Sequence, residues 1–188
     1  MIRLAVVGDI GSGKSYVAKQ FGYPVFNADL EVTRLYQKSR KCYKKLKKAL
    51  PKYIVSFPIK KTEIFKAIMD HQLNLKKIVK IVHSEVRLSM KNFIKKNKNK
   101  KIIILDIPLL MENKINKKKD ILIFIDAKKK EINKRLKKKN FNTKILKKFK
   151  KLQLPIEFKR HQSNFIIKNN FKRNSIKKNV KKVLEKIL

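Results

Sequence analysis

The sequence predicts an α/β protein of three layers, α/β/α, built on a parallel five-stranded sheet, with a helical insert and a basic lid. Three observations predict it. Five short apolar runs, Leu4–Val7, Pro24–Phe26, Ile102–Leu105, Ile121–Ile125 and Phe165–Ile167, read as buried strands. Stretches with apolar residues three or four apart lie between them, and alternation of strand and helix implies a parallel sheet covered on both faces. Of the 188 residues, 43% are hydrophobic, which is core enough for one domain with a small inserted subdomain.

The elements follow in order. Leu4–Val7 runs into a Gly-rich loop, Gly8–Ser15, and then a helix to about Phe21, with Gly22 as its stop signal. Pro24–Phe26 is a second, short strand. From Leu30 to about Asn97 the spacing is helical, as in Ile64 and Ile68 or Leu75, Ile78, Val79 and Val82, interrupted by Pro51 and Pro58. No strand signal occurs there, so residues 30–99 are expected to form the helical insert. Ile102–Leu105, the strongest buried-strand run, ends at Asp106-Ile107-Pro108, and Ile121–Ile125 ends at Asp126. Residues 128–152 are helical and basic, broken at Asn140–Thr143, and make the expected lid. Ser175–Leu188 is a last helix with Ile176, Val180, Val183 and Ile187 on one face. The whole is read as one domain whose core comprises residues 1–29, 100–127 and 153–188.

The formal net charge is +39. Lys is a phosphate-neutralising residue, so one reading is nucleic-acid binding. The other is genomic: Lys, Asn and Ile share A/T-rich codons, and Lys is spread along nearly the whole chain. The second reading predicts no specific nucleic-acid partner. On either, the charge draws polyanions such as nucleotides. The single cysteine, Cys42, excludes an internal disulfide and a cysteine metal cage. No apolar run approaches the roughly 18 residues of a membrane span. The start, Met1–Val7, lacks a small-residue cleavage site and leads straight into the loop, so a cytoplasmic protein is expected.

Gly8-Asp9-Ile10-Gly11-Ser12-Gly13-Lys14-Ser15 matches G-x-x-x-x-G-K-[ST], the Walker A pattern, after a strand and before a helix. Such a P-loop curls so that successive backbone N–H groups, here around Gly11, Ser12 and Gly13, point at phosphate oxygens. The helix N-terminus adds its positive dipole end, and Tyr16 follows on that helix. Lys14 is expected to reach the β- and γ-phosphates of ATP, and the Ser15 hydroxyl to ligate Mg²⁺. The motif alone separates neither kinase from GTPase nor from ATPase. The nearest string to a guanine-specifying N-K-x-D, Asn133-Lys134-Arg135-Leu136, lacks the Asp. The helical insert and basic lid favour a small-molecule kinase of the P-loop NTPase fold.

Several segments, in order, resemble dephospho-CoA kinase over residues 2–170. They are the P-loop, Asn27-Ala28-Asp29 after the second strand, Lys61-Thr62-Glu63-Ile64, His83-Ser84, and Asp106-Ile107-Pro108-Leu109-Leu110-Met111-Glu112. Arg135 in the lid and the late Gln153, Lys159 and Asn169 complete the set. The P-L-L-x-E string combined with Asp29 is the specific part. The resemblance implies transfer of the γ-phosphate of ATP, with Mg²⁺, to the ribose 3′-hydroxyl of dephospho-CoA. It implies Asp29, Lys14 and Arg135 as catalytic residues, and Tyr16 and Asn169 with the loop residues Gly11–Ser15 on the ATP side. It implies Asp29, Lys61, His83, Pro108 and Leu109 on the acceptor side, and Ser15 with Asp106 as metal ligands.

Bland roles stand beside several of these. Asp29 suits a base or orienting group, or an N-cap for a helix beginning near Leu30. Asp106 suits a Mg²⁺ shell or a turn before Pro108. His83 suits acceptor contact or a satisfied, partly buried histidine. Glu112 suits loop support slightly better than acceptor contact. Lys139 stands where the family has a lid Arg, keeping charge without the bidentate fork. Asn27, Lys61, Ser84 and Asn164 depart from the family's Asp, Arg, Pro and Asp, and the first three bear on acceptor contacts. Two other functions remain open: a different small-molecule or nucleoside monophosphate kinase, and a basic nucleic-acid-binding protein with a non-catalytic P-loop.

Overall fold

The computed structural model describes residues 1–138 and 143–188. Of the expected break at Asn140–Thr143, residues 140–142 lie outside the described residues, as does the lid role of Lys139; Thr143 begins a helix. Strands β1 (Ile2–Gly8), β2 (Val25–Asn27), β3 (Ile102–Asp106), β4 (Ile121–Asp126) and β5 (Phe165–Lys168) form one sheet in the order β2-β3-β1-β4-β5. Every neighbouring pair is parallel, as the apolar runs predict. Each strand carries its pairing to a polar or small residue just beyond its apolar run. Asn27 pairs with Asp106, and Asp126 with Lys168, because the ladder uses backbone groups whatever the side chain.

The helices are α1 (Lys14–Gln20), α2 (Ala28–Lys38), α3 (Arg40–Ala49), α4 (Lys61–Asp70), α5 (Gln72–Lys96), α6 (Lys129–Lys138), α7 (Thr143–Lys150), α8 (Ile156–His161) and α9 (Arg173–Ile187). The chain divides into two compact units, residues 1–27 with 97–188, and residues 28–96.

In the first unit, alternate strand residues Leu4, Val6, Ile102, Ile104, Ile123, Ile125 and Ile167 share one face of the sheet. Val17, Ala18 and Phe21 of α1 and Ile176, Val180 and Val183 of α9 pack against them. The opposite parity, Ala5, Val7, Ile103, Leu105, Leu122 and Phe124, is equally buried. Burial on both faces is why these strands read as unbroken apolar runs. Burying each Leu, Ile or Val contributes about 1.5–3 kcal/mol, so this sheet dominates the unit's stability. Arg3 on β1 is paired with Asp120 at 2.8 Å, pinning the entry to β4.

The second unit holds α2 to α5 and no strand among its described residues. The long α5 buries Leu75, Ile78, Val82 and Val86, a spacing of three and four, and α2, α3 and α4 pack on it. Its buried Glu85 accepts a hydrogen bond from Lys45 at 2.7 Å. Burial pushes the Cys42 thiol up to about 11, so it is protonated and inert. No helix among the described residues is long and apolar enough to cross a membrane.

Candidate active site

β1, β2 and β3 end at one edge of the sheet: Val6 and Asn27 both lie beside Asp106. The loop after β1 therefore emerges next to the end of β3, the edge where parallel sheets collect ligands. It closes on itself through the Ser12 N–H to Asp9 carbonyl bond of 3.2 Å, and the Gly13 carbonyl accepts from the Tyr16 and Val17 N–H groups, opening α1. Lys14 folds back over the loop, its Nζ donating to the carbonyls of Asp9 at 2.8 Å and Gly8 at 3.3 Å. The ammonium is thus held above the amides that would meet a polyphosphate. The Ser12 hydroxyl is buried with no hydrogen-bond partner among the described residues. An orphaned donor inside a phosphate loop marks a place for an acceptor oxygen.

Gly13 has φ of 89°, a backbone conformation that L side chains avoid. A Cβ there would stand 2.4 Å from Asn169 Nδ2 and 3.3 Å from Phe171 Cε1. Asn169 is buried and joins three segments. Its Nδ2 donates to the Ser12 carbonyl at 2.7 Å, its Oδ1 accepts from the Phe171 N–H at 2.8 Å, and its own N–H bonds to the Asp126 carbonyl at 2.6 Å. The amide expected on the ATP side thus acts on the loop itself.

Asp106 is buried at the end of β3. Its carboxylate accepts from Asn27 Nδ2, and the Ser15 hydroxyl is near enough to act on it electrostatically. Burial holds this carboxyl above the usual carboxylate range, although Ser15, the Lys14 charge and Asn27 all pull the other way. Hydroxyl and carboxylate side by side are the hard oxygen donors that Mg²⁺ takes. Among the described residues no group of three or more His, Cys, Asp or Glu could hold a metal alone.

Tyr16 stands 40% exposed on α1. Pro108 and Leu109 are half-buried in the turn after β3, and Asn113 Nδ2 binds the Leu109 carbonyl at 2.8 Å. Glu112 is spent on support: it pairs with the buried Lys159 at 2.5 Å and accepts from the Leu154 N–H at 3.1 Å. Arg135 lies on the exposed side of α6, its guanidinium 4.4 Å above the Phe171 ring. The first unit thus brings together the P-loop, Asn27, Asp106, Asn169 and Arg135.

Asp29, Lys61 and His83 belong to the second unit. Asp29 is exposed in the first turn of α2, and Thr33 Oγ1 donates to its carbonyl at 3.0 Å. Because α2 already starts at Ala28, Asp29 is not an N-cap, which corrects that alternative. Lys61 is the exposed first residue of α4, and His83 is half-buried on α5.

Residues 2–175 match the family model for dephospho-CoA kinase. The chain belongs to the dephospho-CoA kinase family. A dephospho-CoA kinase of the Wolbachia of Brugia malayi (strain TRS) is 36% identical over 129 residues, which span 66% of this chain and 66% of that relative. Among solved structures, TT1252 from Thermus thermophilus has a TM-score of 0.81 at 23% identity, covering 100% of this chain and 97% of its own. The dephospho-CoA kinase of Campylobacter jejuni has a TM-score of 0.66 at 19% identity, covering 98% and 96%. At such identities the two structures speak for the fold, and that fold is the parallel α/β one expected from the alternation of strands and helices.

For a dephospho-CoA kinase family member, two features of this site carry no signal in the sequence motifs. One is the Asn27–Asp106 side-chain bond, which joins residues on strands far apart in the chain. The other is Phe171, a bulky residue with φ of 61°.

Proposed function

We propose that the protein is a cytoplasmic kinase that transfers the γ-phosphate of ATP to the ribose 3′-hydroxyl of dephospho-CoA, giving coenzyme A. The observation that carries this reading is the P-loop with Lys14 folded over it and, near Ser15, the buried Asp106 at the end of β3. The family's shared acceptor supports the rest.

Phosphoryl transfer asks a protein for positioning and for charge in the right place. The backbone amides of Gly11, Ser12 and Gly13 bind the β-phosphate oxygens. Lys14 exchanges its bonds to the loop carbonyls for bonds to β- and γ-oxygens. Ser15 and Asp106 would hold Mg²⁺. When bound, that ion neutralises charge on the β- and γ-phosphates. Arg135 brings a planar cation to the transferring group. Asp29 accepts the proton of the attacking hydroxyl or aims it. Lys61, His83, Pro108 and Leu109 contact the acceptor.

Separate variants test the two halves. Lys14→Ala loses MgATP binding. Asp29→Ala keeps MgATP affinity and loses on the order of 10²-fold or more in kcat. Loss of ATP binding in Asp29→Ala assigns that residue to the wrong partner.

A further inference from the structure

Phe171 occupies a backbone position that glycine would fill at less cost. Its φ of 61° is left-handed, and aromatic residues rarely stay there unless their surroundings hold them. Here the Asn169 Oδ1 holds it, accepting from the Phe171 N–H at 2.8 Å. The ring edge abuts Gly13, whose Cβ, if present, would lie 3.3 Å from Cε1. The ring face lies under the Arg135 guanidinium, 4.4 Å from its carbon. Arg135 sits between Ile132 and Leu136 on α6, and those two side chains pack on the same loop at Gly11, within 3.1 and 3.3 Å of where a Cβ would stand. The helix is thus anchored on the loop by apolar contacts, and the ring fixes where the long, exposed cation goes.

We propose that Phe171 is a positioning residue for the phosphate site. Its ring holds the Arg135 guanidinium beside Gly13, so the cation stands at the loop before the nucleotide arrives. A free arginine would lose its rotamer freedom on binding, and a stacked one has already lost it. The proposal rests on the reading of the loop as an ATP site. It does not depend on the identity of the acceptor.

The experiment compares wild type, Phe171→Gly, Phe171→Leu, Phe171→Tyr, Arg135→Ala and the Arg135→Ala/Phe171→Gly pair as full-length proteins. MgATP affinity by calorimetry, kcat and KM with dephospho-CoA, and Tm are measured for each. Phe171→Gly should keep or raise Tm, because glycine relieves the left-handed backbone. It should weaken MgATP affinity on the order of threefold to tenfold, as should Phe171→Leu, which fills space without a π face. Phe171→Tyr should rescue affinity to the wild-type value, and in the Arg135→Ala background Phe171→Gly should change nothing further. Wild-type affinity in Phe171→Leu, or full additivity in the double variant, overturns the proposal. A wild type that binds MgATP but leaves dephospho-CoA untouched removes the acceptor assignment, and the affinity comparison still decides the role of Phe171. A wild type that does not bind MgATP overturns both.

Discussion

Replacing Gly13 by Ala tests how tightly the phosphate loop is wedged against the end of β5. The new Cβ would stand 2.4 Å from Asn169 Nδ2, well inside contact distance, and Asn169 is buried with both ends of its amide engaged. It cannot swing away without abandoning the Ser12 carbonyl. Two terms add. Holding an L-residue at φ of 89° costs about 1–2 kcal/mol. Leaving a buried carbonyl or amide unsatisfied costs about 1–3 kcal/mol more. The sum, about 2–5 kcal/mol, lowers Tm by roughly 4–20 °C in a chain of this size. Gly22 is the internal control. Its φ is 74°, yet nothing lies within 4 Å of where its Cβ would be, so Gly22→Ala carries only the conformational term. The assay is thermal unfolding of both variants side by side, with and without saturating MgATP. Ligand at about 100 times Kd stabilises wild type by about 2.7 kcal/mol, and Gly13→Ala should lose that shift while Gly22→Ala keeps it. Equal melting temperatures for the two variants would refute the wedge between Asn169 and the loop.

Asp106→Asn should raise stability while removing activity. Burial raises the folded pKa of Asp106, so the folded state binds that proton more tightly than the unfolded chain does. The group's stabilising contribution is full below its ordinary value of 3.8 and is lost as pH rises through the raised folded value. A carboxamide at this position cannot ionise, so the variant should melt above wild type near about pH 7, and the gap should narrow toward about pH 4. Turnover should fall on the order of 10²-fold. Glu112→Ala strands the Lys159 ammonium, which is only 1% exposed. The cost is about 3–5 kcal/mol, or roughly 6–20 °C in Tm, and Glu112→Leu with Lys159→Met should restore most of it.

The sheet was legible because its strands are buried on both faces. Ile102–Leu105 could hardly be anything else, and Gly8–Ser15 lies where its motif put it, between the first strand and the first helix. α8 was missed for a physical reason. It is six residues long, its apolar Ile156 and Phe158 are exposed, and its one buried residue is Lys159, which inverts the pattern periodicity detects. Glu112 and Lys159 stood out singly, but no sequence rule joins a loop after β3 to a short helix far along the chain. Asn169 was expected to touch ATP, and the motif could not tell a ligand contact from a brace behind the loop. The left-handed backbone of Phe171 was illegible because its determinant, the Asn169 side chain, also looks like an ordinary turn residue.

The most direct test is product formation from MgATP, with dephospho-CoA, a nucleoside monophosphate and shikimate offered separately to wild type and to Lys14→Ala. Wild type should phosphorylate dephospho-CoA at the ribose 3′-hydroxyl and leave the other acceptors essentially unused, and Lys14→Ala should be inactive. Turnover of dephospho-CoA no faster than in Lys14→Ala, or faster transfer to another acceptor, would contradict the assignment of this phosphate site to dephospho-CoA phosphorylation.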